Sequence, residues 1–342
     1  MRTPIKCLNR LNAVLTVSAI LSGCTLEDSC MSGSWISFSC VPEDFGQAAC
    51  KSIISSEGIE DKITGISIFI YNDGRLTDSG HFENDFSGMS FSLTSEESYD
   101  IFALVNMGDM RQSMPSDISS MSPELITWDI PSLQSVDRNG IPMSGVLKGF
   151  KAGTDTPVIP LKRLFAKVTA EITFGYEGAE VNSVKILNLN GRLKPFGHSA
   201  ASSASHIMSE GVNEAKAGTY VFYIPENMQG QIGSASQPHE KNPDLDPDIN
   251  AIKDVLTYME VEVSLDGQGG RTGTITYRSY LGNNATRNFD ITGNCRYNWK
   301  VTYLEDNLQY DDWKTDTGDM SSEATLSFEA HPCWDNEGDI IL

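Results

Sequence analysis

Apolar and polar positions alternate in short runs along this chain, and helical periodicity is almost absent. Each run is rich in β-branched and aromatic residues and is bounded by Gly, Asn, Asp or Ser, the pattern of half-buried strands. Strands are predicted over 34–40, 63–72, 88–93 and 100–106, then over 181–188, 218–224, 257–265, 273–281, 297–303 and 324–329. Asn72-Asp73-Gly74 marks a tight hairpin turn, and residues 267–273 (GQGGRTG) a looser one. The run 157–174 is long for one strand. Its alternation holds on both sides of Lys162-Arg163, which reads as a solvated kink where the chain leaves one domain for a second near residue 163. Residues 242–249 (NPDLDPDI) and the Ser-rich 199–205 read as exposed excursions in the second half. The expected fold is all-β, two sandwiches in series.

The first thirty residues alter the picture of where this fold resides. Arg2, Lys6 and Arg10 precede an apolar stretch from Leu11 to Leu21, too short for a bilayer span and suited to a signal peptide. Leu21-Ser22-Gly23-Cys24 then offers small residues for a peptidase and a thiol for lipid attachment. Cys24 is the expected lipidation site, with residues 1–23 removed and the protein held at the cell outer membrane. Glu27 and Asp28 close behind it resemble a surface-export signal of Bacteroidetes lipoproteins. Losing Arg2, Lys6 and Arg10 takes the formal charge from −21 to −24. So acidic a surface repels nucleic acid and anionic lipid head groups, which excludes nucleic-acid partners and leaves acyl chains as the membrane attachment.

Chemistry-bearing patterns are scarce. Cys30, Cys40, Cys50, Cys295 and Cys333 lack CxxC spacing, so a zinc site is not expected, and export permits disulfides of undetermined connectivity. Nucleotide-binding, nucleophile-elbow and zinc-protease motifs are missing, and His81, His198, His206, His239 and His331 lack ligand spacing. Asp244, Asp246 and Asp248 alternate as in a calcium loop. Pro243 and Pro247 intrude, however, Ile249 replaces the turn glycine, and Val255 stands at the bidentate glutamate position. The expectation is a non-enzymatic protein with no cofactor and no metal. Trp128, Trp299, Trp313 and Trp334 fit either sandwich cores or a sugar-binding face.

Several segments resemble a known family. Ile141-Pro142-Met143-Ser144-Gly145 with Leu161-Lys162-Arg163-Leu164-Phe165-Ala166-Lys167-Val168 is similar to the domain junction of Bacteroidetes fimbrillins, the subunits of type V pili. Tyr223-Ile224-Pro225-Glu226-Asn227-Met228-Gln229-Gly230 resembles a motif of one branch. Tyr280-Leu281-Gly282-Asn283, Asn288-Phe289-Asp290-Ile291, Asn294 and Tyr297 resemble the late strands of that superfamily. The resemblance implies two transthyretin-like β-sandwiches in tandem. The implied division is a signal peptide (1–23), a first sandwich with a removable first strand (24–163), a second sandwich (164–315) and a C-terminal strand and tail (316–342).

It also implies assembly. Such subunits travel as lipoproteins, lose their first strand to a protease, and accept a strand from another subunit in its place. Here the removable strand is 34–40, with Ile36, Phe38 and Cys40 facing the core and Trp35, Ser37 and Ser39 facing outward, and 324–329 is the candidate donor. The Porphyromonas members are cut after arginine, whereas this chain has no arginine between Arg10 and Arg75. Lys51 and Lys62 are the candidate processing positions. The expected partners are other fimbrial subunits, the outer membrane through lipid, and a host or bacterial surface receptor. The competing readings are a lipid-retained anchor or tip subunit, and a glycan-binding surface lipoprotein.

Overall fold

The computed structural model describes residues 33–37, 39–42, 59–60, 62–86, 89–94, 97–151, 157–174, 177–202, 207–212, 219–236, 240–266, 272–303, 317–319 and 325–331. Cys24, Cys30, Cys50, Lys51, Cys333 and the residues 1–23 lie outside that set. The fold is all-β, with short helices only.

The first half contributes β1 (Gly33–Ser37), β2 (Ser39–Pro42), β3 (Gly65–Asn72), β4 (Arg75–Glu83), β5 (Ser90–Thr94), β6 (Ser98–Val105), β7 (Trp128–Asp129), β8 (Met143–Lys151) and β9 (Val158–Arg163). Six of these form one sheet in the order β2-β9-β8-β6-β3-β4, and β1 pairs with β5 opposite it. The central strands β3 and β6 are buried on both faces, which is why their apolar runs are nearly continuous rather than alternating. Ile66, Ile68, Ile70, Ile101, Ala103 and Val105 fill the core beneath β5. Phe69, Tyr71, Phe102 and Leu104 point the other way, under an excursion carrying Met107, Met110, Met114, Ile126 and Ile130. The β3–β4 turn falls at the Asn-Asp-Gly signal, with Asp73 at φ 46° and Gly74 at φ 78°, as a two-residue hairpin of that hand requires.

The second half contributes β10 (Phe165–Phe174), β11 (Ala179–Asn190), β12 (Arg192–Leu193), β13 (Ile207–Val212), β14 (Thr219–Pro225), β15 (Tyr258–Asp266), β16 (Thr272–Tyr280), β17 (Arg296–Tyr303), β18 (Thr317–Asp319) and β19 (Thr325–His331). They make two facing sheets, β14-β10-β17-β19 and β13-β11-β15-β16-β18. One core lies between them, built from Val168, Ile172, Phe222 and Trp299 on one side and Val184, Ile186, Val261 and Tyr277 on the other. Trp299 is thus a core residue. Trp128 is half-buried, with its Nε1 donating to the Met107 carbonyl at 3.1 Å.

The long run 157–174 is a single extended segment broken at Leu164. Its first part, β9, pairs with β2 and β8, and its second part, β10, pairs with β14 and β17. The halves also share side chains. Leu164, Phe165, Leu193 and Phe196 pack into the excursion's core, and β7 pairs with β12.

Several features differ from the sequence pattern. The polar β4 (RLTDSGHFE) and the glycine-containing β8 and β13 carry weak alternation, yet each is held by a neighbour of strong strand character. Helix α1 (Leu133–Asn139) is capped by Ser132 and buries only Val136, and α2 (Pro247–Ile252) is capped by Asp246. The stretch 242–249 is exposed only in part: Asn242, Asp246 and Ile249 are buried, while Asp244, Leu245, Pro247 and Asp248 are exposed. Ser199 and Ala201 are buried too. Arg163, expected in solvent, is 1% exposed.

Candidate functional site

Strands β1 and β2 lie along the rim of the first half and take different partners. β1 pairs antiparallel with β5, from Gly33 opposite Thr94 to Ser37 opposite Ser90. β2 then pairs parallel with β9, from Ser39 opposite Val158 to Pro42 opposite Leu161. The two strands therefore lie one on each layer and central in neither, since among the described residues β5 has no other sheet partner and β9 otherwise pairs over Met143–Arg163 and Ser144–Lys162 alone. Phe91 and Leu93 of β5 and Ile159 and Leu161 of β9 point into the core. Withdrawing β1 and β2 would leave β5 without its partner among the described residues, free one edge of β9, and open that apolar layer. The side chains of residues 33–42 lie outside what is described, including the facing expected for Ile36, Phe38 and Cys40. β19 forms the edge of its sheet beside β17, from Thr325 opposite Thr302 to His331 opposite Arg296.

The two candidate processing lysines stand differently. Lys51 lies outside the described residues. Lys62 is exposed at its side chain, yet its backbone is fastened. Its carbonyl accepts from Asn106 Nδ2 at 2.7 Å, and its ammonium donates to the Arg138 carbonyl. Two residues on, the Thr64 amide donates to Asn106 Oδ1 at 2.9 Å and its hydroxyl to the Asn139 carbonyl at 2.8 Å. Gly140, at φ +93°, makes room for this contact, because a Cβ there would lie 2.3 Å from the Lys62 carbonyl oxygen.

Two residues before Lys62, Glu60 sits in a polar cluster that sequence spacing could not reveal. Its carboxylate accepts from the Lys167 ammonium and from the Tyr223 hydroxyl at 2.6 Å, and lies 3.8 Å from Arg296 Nη2. Its carbonyl accepts from Arg163 Nε at 2.9 Å, while Arg163 Nη1 donates to Asn294 Oδ1 at 3.2 Å. Burial pushes the Glu60 carboxyl up, but the bonds from Lys167 and Tyr223 and the charges of Lys167 and Arg296 outweigh it and hold it low. Burial and then the Glu60 bond and charge push the Tyr223 phenol up.

The motif residues of the second half close loops rather than form a reactive centre. Asn227 is 0% exposed and makes four side-chain bonds. Its Oδ1 accepts from the Ala201 amide at 2.9 Å and from Gln229 Nε2 at 2.8 Å, and its Nδ2 donates to the Val255 carbonyl at 3.0 Å and Thr257 Oγ1 at 3.1 Å. Glu226 accepts from the Ser199 and Gly293 amides. Gly282 lies so close to Asn288 that a Cβ would meet its carbonyl oxygen at 1.9 Å. Lys241 is buried beneath these loops, donating to the carbonyls of Leu281, Asn284 and Asn288 with Nζ 4.4 Å from the Phe289 ring centroid. Burial pulls its ammonium down to about 7, against the opposing charge of Asp290. Asp246, of the alternating acids, spends its carboxylate on the Ser234 and Asp248 amides.

One arrangement looks like a relay: Ser67 Oγ lies 2.9 Å from His81 Nδ1, and His81 Nε2 3.2 Å from Glu83 Oε1. Ser67 is 0% exposed, however, and its oxygen also contacts the Gly108 carbonyl and the Met110 amide. It pins the excursion to β3 and presents no nucleophile to solvent. Among the described residues, no group of three or more His, Cys, Asp or Glu is placed to hold a metal.

Against known proteins, residues 222–301 match the model of a domain of unknown function, DUF4906. The match covers the Asn227 and Gly282–Tyr297 loops together with the strands between them. No curated protein matches the chain in sequence. Among solved structures, the fimbrillin FimA of Porphyromonas gingivalis W83 is similar at a TM-score of 0.56 and 12% identity, over 86% of this chain and 96% of that one. The C-terminally truncated tip fimbrial protein Mfa3 of Porphyromonas gingivalis is similar at 0.51 and 13% identity, over 80% and 95%. The chain therefore has the fold of the Bacteroidetes fimbrillins, as its junction and late-strand motifs led one to expect.

Proposed function

We propose that this chain is a non-enzymatic fimbrial subunit of the fimbrillin superfamily, exported as a lipoprotein through Cys24 and assembled by strand exchange at the bacterial surface. The observation that carries this reading is the stretch that supplies β1 and β2, one rim strand on each layer of the first sandwich. Its loss leaves two strand edges over an apolar layer, and an incoming strand satisfies the backbone groups and covers the side chains together. The fold shared with a fimbrillin and a fimbrial tip protein supports the same reading.

In this account residues 1–23 are the signal peptide, and residues 24–163 and 164–315 are tandem transthyretin-like sandwiches. Residues 316–342 form a C-terminal strand and tail from which a donor is drawn. Processing falls at a lysine. The fixed backbone around Lys62 favours Lys51, because a protease needs an extended stretch of chain on both sides of the bond it cuts. The absence of arginine from residues 11–74 favours a second reading, in which the strand is retained and the chain serves as a lipid-held anchor or tip subunit.

Expression of the full chain in a host that lipidates and exports it, followed by a lysine-specific protease, separates the two. The polymerising subunit yields a product that begins after Lys51 and forms high-mass ladders. Intact monomer carrying lipid on Cys24 after protease treatment contradicts the polymerising role.

A further inference from the structure

We infer that Glu60 is a latch that fixes the start of the retained body of the protein to the second sandwich, and so confines proteolytic release to the chain upstream of Ile59. Three alternate residues in succession are tied down. Glu60 is held by Lys167 and Tyr223 of the β10–β14 pair and by Arg163 at the end of β9. Lys62 is held by Asn106 and Arg138, and Thr64 by Asn106 and Asn139. Neighbouring residues reinforce the hold, because Ile59 packs on the excursion's core and Ile63 on the core beneath β5. Residues 59, 60, 62, 63 and 64 are thus each fastened by polar or apolar contacts.

The polar end of this ladder has a charge logic. Lys167 and Arg296 gather around the Glu60 carboxylate while Arg163 holds the Glu60 carbonyl, in a chain whose formal charge is −21. Removing Glu60 would leave the half-buried Lys167 and the more exposed Arg296 without that carboxylate, which opposes its departure. A cut after Lys62 would detach Glu60 from the body, whereas a cut after Lys51, the one basic residue between Arg10 and Lys62, would leave it in place. Glu60 is therefore a positioning residue. It sets the boundary between what is released and what stays, and keeps the two sandwiches joined as the first strand leaves.

This inference rests on the strand-release reading for its purpose, but its test needs no assembly. The chain without residues 1–23 is digested briefly with a lysine-specific endoproteinase. Mass spectrometry then follows fragments that begin at Ile63, with cutting after Lys185 in β11 as the monitor of global opening. In the unsubstituted chain the two cuts should appear together and slowly. Glu60→Ala should speed the Lys62 cut roughly ten- to a hundredfold relative to the Lys185 cut, the effect of losing charge-assisted bonds on a local opening. Tyr223→Phe, which removes one hydroxyl, should raise the same ratio by roughly threefold or more, and gives the reading if Glu60→Ala fails to fold. Rapid cutting after Lys62 in the unsubstituted chain, or a ratio unchanged in the variants, overturns the latch. Neither result bears on whether the subunits polymerise, which the ladder assay reads separately.

Discussion

Asn227 should be among the positions on which the second sandwich depends most. Substitution by alanine removes four hydrogen bonds at a fully buried site. Two of the abandoned partners keep alternatives: Gln229 Nε2 still reaches the Ala201 carbonyl at 2.9 Å, and Thr257 Oγ1 still donates to the Asn188 carbonyl at 2.9 Å. Among the described residues the Ala201 amide and the Val255 carbonyl have no such fallback. Each buried polar group left unpaired costs about 1–3 kcal/mol, so the expected loss is about 3–5 kcal/mol once the small void is included. For a module of this size that lowers the melting temperature by roughly 10 °C. Asn227→Asp should be comparably destabilised at neutral pH, because a carboxylate oxygen then faces the Val255 carbonyl. It should recover partly in acid, when protonation restores a donor. Urea and thermal unfolding of the chain without residues 1–23 measure both. A loss below about 1 kcal/mol for Asn227→Ala would refute the claim that these loops hang on this side chain.

Two further substitutions probe other contacts. Gly145→Ala places a Cβ 2.4 Å from the Pro160 carbonyl oxygen and 2.8 Å from Ile159 Cγ2, forcing β9 off β8. It should cost about 1–3 kcal/mol in urea unfolding, and should loosen the Leu164 crossing as judged by faster amide exchange in β9. Lys241 titrates near 7 when folded and near 10.5 when unfolded, so between these values the unfolded chain binds more protons and stability rises with pH. From pH 7 to 9 the gain is about 2 kcal/mol, and Lys241→Met should abolish that slope. An identical pH profile for the variant would show that the ammonium is not confined as described.

How much was readable beforehand depends on whether the information is local. Strand 257–265 was legible because alternation, β-branching and flanking turn residues agree, and 100–106 because a short apolar run with β-branched and aromatic residues is bounded by turn residues. The Asn72-Asp73-Gly74 turn was legible because only such residues accept positive φ at both positions cheaply. β4 was not legible, because its polar sequence is made a strand by pairing with β3 rather than by its own pattern. Helices α1 and α2 are too short to show a period and owe their existence to caps at Ser132 and Asp246.

The buried charges were the least accessible. Arg163 read as a solvated kink because its partners, Glu60 and Asn294, lie 103 and 131 residues away. Lys241 likewise finds its carbonyls 40 to 47 residues downstream. The rim strand was anticipated as a strand at 34–40, but that β1 pairs with β5 and β2 with β9 is a property of the sheets and not of its own residues. Glu60 carried no local signal at all. It is one of three acids, Glu57, Glu60 and Asp61, in a stretch otherwise read for its lysines.

The most direct test of the account is the N-terminus of the protein as it stands on the surface of the bacterium that makes it. Surface material would be sheared off, and the terminal residue and intact mass read by sequencing and mass spectrometry. The account predicts a chain that begins just after Lys51, lacks residues 24–51 and their lipid, and sits in a high-mass polymer. A monomer beginning at acylated Cys24, with residues 33–42 still attached, would contradict strand exchange and leave the chain a lipid-held subunit.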